Sequence, residues 1–125
     1  MTEYLDLDDL LAAADAAVGG RADVRDIGLL QAAAVRPQTT AFGEDAYPDL
    51  DTKAAALLQS IVGGHPLVDG NKRLGWVAVR LFYRVNGADV HPAPGDAYDL
   101  IVAVASGGLR EIPEIADTLA GWRER

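Results

Sequence analysis

The stretch "GGHPLVDGNKRLGWVAVRLFYRVNG", residues 63–87, decides the fold, because it places a helix and the break before it side by side. Its second half keeps a helical period. Leu74, Val77, Ala78, Leu81, Phe82 and Val85 recur at three- and four-residue spacing and predict one buried stripe on a helix from about Asn71 to Asn86. Asn86-Gly87 supplies its C-terminal stop. The first half cannot be helical throughout: Gly63-Gly64 closes the preceding helix, and Pro66 and Gly70 oppose another turn. A polar loop between two helices is the expectation, with Asp69-Gly70 starting the second.

Working outward, helical spacing recurs. Asp6 or Asp8 can cap a first helix through Leu7, Leu10, Leu11, Ala14, Ala17 and Val18, ended by Gly19-Gly20. A second, Ile27 to Val35, opens on Asp26 and closes at Arg36-Pro37. "PQTTAFGEDAYPDL", residues 37–50, has no helical period and reads as a loop with at most a short extended piece. Asp49 or Asp51 starts a third helix through Ala54, Leu57, Leu58, Ile61 and Val62. Beyond Asn86, Asp96 caps a helix through Leu100, Ile101, Val104 and Ala105, and Pro113 sits in the first turn of a last one through Ile115, Ala116, Leu119 and Trp122. The sum is an all-α fold of six helices in a single domain, residues 1–125.

Composition agrees and excludes several functions. Half of the 125 residues are apolar but only 6% are aromatic, so the core is built from Ala, Leu, Val and Ile, which suits close helix packing. The absence of cysteine removes disulfides, zinc-thiolate sites and thiol catalysis. A formal charge of −8 makes a poor general nucleic-acid binder, because such binding rests on phosphate neutralisation. Glu3, Asp6, Asp8, Asp9 and Asp15 are the wrong start for a signal peptide, and no apolar run is long enough for a membrane span. A soluble, cytoplasmic protein is expected.

The loop concentrates chemistry. The first turn of a helix presents unpaired N–H groups and a partial positive charge, which suits a phosphate. Gly70 would let backbone approach an anion, and Lys72 and Arg73 add two positive charges beside it. Asp69 is either an N-cap or a carboxylate for Mg²⁺, an ion bound by one or two carboxylates plus substrate phosphates. His65 is either a packed histidine or a general base, since imidazole titrates near neutral pH. Zinc is disfavoured, for His65 and Asp69 lack a helix between them and a third ligand. A P-loop would need a different order of residues after a strand. As a set, the residues point to phosphoryl or nucleotidyl transfer to a hydroxyl.

"HPLVDGNKR", His65–Arg73, resembles the signature of the Fic (filamentation induced by cAMP) superfamily, His-Pro-Phe-x-Asp/Glu-Gly-Asn-Gly/Lys-Arg. Leu67 replaces the usual Phe. Lys72 stands where nucleotide-transferring members carry Gly, and Trp76 where they carry a second arginine. That is the pattern of the Doc (death on curing) toxins, which the chain also resembles in "RDIGLLQAA" (25–33), "KAAALL" (53–58), "LFYRVNG" (81–87) and "ADTL" (116–119).

The resemblance implies a compact six-helix Fic/Doc-like bundle with the motif loop leading into a central helix. It implies that His65 takes the proton of a target hydroxyl, that Asp69 holds Mg²⁺ on ATP, and that Gly70 and Asn71 give donors to the phosphates. Arg73 would neutralise phosphate charge. Lys72 would refill part of the anion cradle, so that ATP sits reversed and its γ-phosphate moves. It further implies a Ser/Thr phosphotransferase toxin acting on elongation factor Tu and arresting translation, with an antitoxin whose C-terminal segment covers the active site. Thr39–Tyr47 falls where relatives carry a flap that aligns the target; a plain loop is the other reading. Thr40–Glu44 is faintly similar to a self-inhibitory Ser/Thr-x-x-x-Glu helix, which Gly43 opposes. The rival functions are AMP transfer to a protein hydroxyl, an inactive binding module of the same shape, and a plain helical interaction domain.

Outside the motif, Trp76 and Tyr83 lie seven apart and read as core packing over a nucleobase platform. His91 reads as a surface or capping residue. Arg80 and Arg84 read as solvated, or paired with an acidic residue on a neighbouring helix.

Overall fold

The computed structural model describes residues 1–123, and Glu124 and Arg125, the end of the expected 1–125 span, lie outside them. The described residues form six helices: α1 (Leu7–Val18), α2 (Ile27–Val35), α3 (Leu50–Gly64), α4 (Asn71–Val85), α5 (Asp96–Ala105) and α6 (Ile112–Gly121). Local chemistry sets most ends. Asp6 opens α1 in a reciprocal cap, its carboxylate accepting from the Asp9 N–H while the Asp9 carboxylate accepts from the Asp6 N–H. Asp26 and Asp49 cap α2 and α3 through the N–H groups of Leu29 and Thr52.

Four expectations shift. Residues 37–50 contain a turn of 3₁₀ helix, Arg36–Gln38, and then a hairpin, β1 (Thr40–Ala41) against β2 (Glu44–Asp45), with Thr40 opposite Asp45. Gly63 and Gly64 stay within α3, which ends one residue later because His65 takes the left-handed conformation expected of a glycine (φ 53°). The α4 and α5 caps are Gly70 and Gly95, not Asp69 and Asp96. Finally, α4 buries Leu74, Gly75, Ala78, Val79, Phe82 and Tyr83, a face turned so that Val85 is exposed. Tyr83 can belong to that face because its hydroxyl donates to Asp51 Oδ1 at 2.7 Å.

Burial shows the architecture. From Lys53 to Leu58 every residue of α3 is buried, and the helix packs on α2, α4, α5 and α6. The α3–α4 contact is close at Gly75, where a Cβ would stand 2.7 Å from Val62 Cγ1 and 3.0 Å from Leu58 Cδ1. The motif loop joins this central pair. Arg80 and Arg84 are paired, both with Asp89 in the link after α4, and hydrogen bonding to Arg80 holds the Asp89 carboxyl well below the usual carboxylate range. Among the described residues, no helix is long and apolar enough to cross a membrane.

Gly75→Val should therefore destabilise the protein by about 1–3 kcal/mol through overpacking. Gly63→Ala, in open space within a helix, should be neutral or stabilise by up to about 1 kcal/mol. Urea unfolding of the two variants checks the contrast.

Candidate active site

The motif loop is pinned by the segment before α2. Val24 and Leu67 form an isolated antiparallel bridge. Val68 N–H donates to Asp23 O at 2.9 Å, and Pro66 O accepts from the N–H groups of Arg25 (2.8 Å) and Asp26 (3.0 Å). The Arg25 guanidinium donates to His65 O at 2.7 Å and Gly64 O at 2.9 Å, so it caps the C-terminus of α3. Leu67 is buried and anchors the loop in the core, as an apolar residue at that position should.

Asn71 closes the loop from the other side. Its Oδ1 accepts from Leu67 N–H at 2.9 Å and its Nδ2 donates to Leu67 O at 3.0 Å. The side chain thus holds the loop with one amide hydrogen and keeps the second for another acceptor. Gly70 has a left-handed backbone (φ 89°), and a Cβ there would stand 2.7 Å from Val18 Cγ1. Conformation and the α1 side chain behind it demand glycine. The N-cap reading of Asp69 falls, since its Oδ1 accepts from Gly70 N–H at 2.9 Å while Gly70 itself occupies the cap. The first helical bond of α4 runs from Leu74 N–H to Gly70 O, which leaves the N–H groups of the first turn without an intrahelical partner.

His65 and Asp69–Arg73 all line one cleft of about 630 Å³. Trp76 is part of its lining, and Ala97, Tyr98 and Ile101 of α5 form the facing wall. Trp76 is half-buried, edge-on to Trp122 at 6.3 Å, with the Arg80 guanidinium 6.0 Å from its ring centre. Tyr83 points into the core, where burial raises its hydroxyl pKa far above the ordinary phenol range. The α5 wall is the part sequence reasoning missed. An aromatic in the first turn of a helix was the only signal, and Tyr98 is indeed 69% exposed.

Charge distribution singles out the same cleft. Lys53, Arg80, Arg84 and Arg123 form ion pairs, while Arg25, Arg36 and Arg110 donate to backbone carbonyls or hydroxyls. Among the described residues, that leaves Arg21, Lys72 and Arg73 without such a partner, and two of these three line the cleft. Asp69 is the single carboxylate there. Among the described residues, no group of three or more His, Cys, Asp or Glu could hold a metal by itself. The Asp69 carboxylate can serve Mg²⁺ where phosphate and water oxygens complete the ion, and the neighbouring N–H donors suit those phosphate oxygens.

Two singled-out segments stand outside the cleft lining. His91 is exposed, with its N–H donating to Trp122 O at 2.7 Å. Residues 39–47 form the hairpin, and its tip is Phe42, fully exposed and left-handed (φ 54°), followed by Gly43 (φ 80°). Two cations fasten the hairpin base. Buried Lys53 bonds the Asp45 carboxylate and the Tyr47 carbonyl, and Arg36 Nε donates to Tyr47 Oη at 3.0 Å.

A family model described as Fic/DOC family matches residues 4–83. The chain is 50% identical to a protein named Toxin Doc from Mycolicibacterium smegmatis over 125 residues, covering 98% of this chain and 95% of that one. It is 32% identical to a protein named Protein kinase doc from Escherichia phage P1 over 119 residues, covering 93% and 92%. The chain belongs to the Fic/DOC family.

Asn71→Asp tests the loop clamp. It keeps an acceptor for Leu67 N–H but sets a carboxylate oxygen against Leu67 O, so the protein should lose about 1–3 kcal/mol of stability. Thermal or urea unfolding against wild type measures it, and Asn71→Ala should cost a similar amount.

Proposed function

We propose that this Fic/DOC-family chain is a Doc-type toxin kinase, one cytoplasmic domain over residues 1–125, which moves the γ-phosphate of ATP to a Ser/Thr hydroxyl of elongation factor Tu and so arrests translation. One observation carries the reading: Lys72 and Arg73, without an ion pair among the described residues, line one cleft with His65 and Asp69 in a chain of charge −8. The names of the two relatives, a toxin and a protein kinase, support it.

In this reading His65 accepts the hydroxyl proton as the target oxygen forms its bond to the γ-phosphorus. The bond from that phosphorus to the β–γ bridging oxygen breaks, and ADP leaves with the electron pair. Asp69 would hold Mg²⁺, which when bound neutralises phosphate charge. Arg73 and the N–H groups of Asn71, Lys72 and Arg73 meet the phosphate oxygens, in a geometry fixed beforehand by the loop. Lys72 takes volume and adds charge where a glycine would leave the cradle open, which sets the end of ATP presented to the hydroxyl. The hairpin around Phe42 offers backbone edges and an apolar tip to an extended target segment. An antitoxin's C-terminal segment would neutralise the enzyme by covering the cleft.

The test incubates the protein with elongation factor Tu and ATP labelled at either the γ- or the α-phosphate. Label from γ alone is expected, and His65→Ala should lower its transfer by about 10²–10⁴ while leaving the fold intact. Label from α overturns the kinase in favour of AMP transfer. No label from either overturns the assigned target.

A further inference from the structure

Resting on the phosphotransfer reading, we propose that Arg25 is a positioning residue: it holds His65 in the left-handed conformation that aims the imidazole into the cleft. Among the described residues His65 is one of two non-glycine residues with positive φ, a conformation that costs energy for any residue with a Cβ. It also precedes Pro66, whose ring drives the residue before it toward extended backbone. Left to local preference, His65 would leave the left-handed region.

The Arg25 guanidinium opposes this. Gly64 O and His65 O belong to the two peptide planes on either side of the His65 Cα, and one guanidinium binds both, at 2.9 and 2.7 Å. Holding both planes fixes φ and ψ of the residue between them and therefore the direction of its side chain. Arg25 makes no ion pair among the described residues, although the chain carries 19 acidic side chains. The cation is committed to carbonyls that carry the negative end of the α3 dipole. The loop's other fastenings, the backbone bonds at Pro66 O and Val68 N–H and the Asn71 clamp on Leu67, do not use the Arg25 side chain and survive its change.

The experiment compares the full-length wild type with Arg25→Ala and Arg25→Lys. NMR reads the His65 three-bond HN–Hα coupling and ¹³C shifts, and kinetics reads γ-phosphate transfer. Both variants should move His65 toward extended backbone and lower kcat at least about tenfold, because a catalytic group displaced by an ångström loses that much or more. KM for ATP should stay within about twofold, as expected when the loss falls on the chemical step. Lysine keeps the charge but lacks the planar fork that meets the two carbonyls in a fixed geometry, so it should not fully restore the rate. Unchanged His65 couplings in Arg25→Ala, an unchanged kcat, or full recovery in Arg25→Lys would overturn the proposal. Should the wild type transfer no phosphate, the reaction assignment fails, and the His65 couplings still decide the positioning.

Discussion

A helix that stops inside a protein must find partners for its last carbonyls, and α3 stops against Arg25. The rest of the site depends on that stop. Because α3 is buried from Lys53 to Leu58 and again at Ile61 and Val62, and packs on four other helices, its C-terminal end has little freedom to move. The chain must then reverse at once into α4, whose close approach at Gly75 fixes the second helix against the first. Between the two lie only Pro66 to Gly70 and the left-handed His65, tied by the 23–26 segment on one side and the Asn71 amide on the other. Rigid helices therefore hold the loop residues in place, and a site that must meet a phosphate needs such preorganisation.

The charge pattern follows from the same economy. An acidic protein can still bind an anion if its cations are not neutralised where the anion sits. Here the other lysines and arginines of the described residues are almost all engaged in fastening helices and the hairpin, and Lys72 and Arg73 are not. Low ionic strength strengthens such a site and the surrounding −8 weakens it, so the local field of the α4 N-terminus has to dominate at short range.

Much of this was legible in the sequence. The apolar period fixed six helices, and the glycines and proline of residues 63–70 fixed the loop between α3 and α4. His65 and Asp69–Arg73 do meet in one cleft, as their spacing around a helix start requires. Several readings erred where one residue's choice depends on a distant partner. Gly63-Gly64 looked like the stop, but Arg25, 40 positions before His65, moves it. Asp69 looked like a cap, but Gly70, backed by Val18, takes that place. The α4 stripe was drawn through Val85, which is exposed, whereas Tyr83, read as core packing, is buried with its hydroxyl on Asp51. The α5 wall went unread, since its one signal, an aromatic in the first turn of a helix, does not report which helix faces a site.

The central claim is that the start of α4 and the loop before it form the phosphate site. Titrating Mg-ATP into ¹⁵N-labelled protein tests it most directly. The account predicts saturable shifts confined to the amides of His65, Gly70, Asn71, Lys72, Arg73 and their neighbours across the cleft, lost in Arg73→Ala. Saturable shifts centred elsewhere, or shifts at the cleft that survive that substitution undiminished, would contradict it.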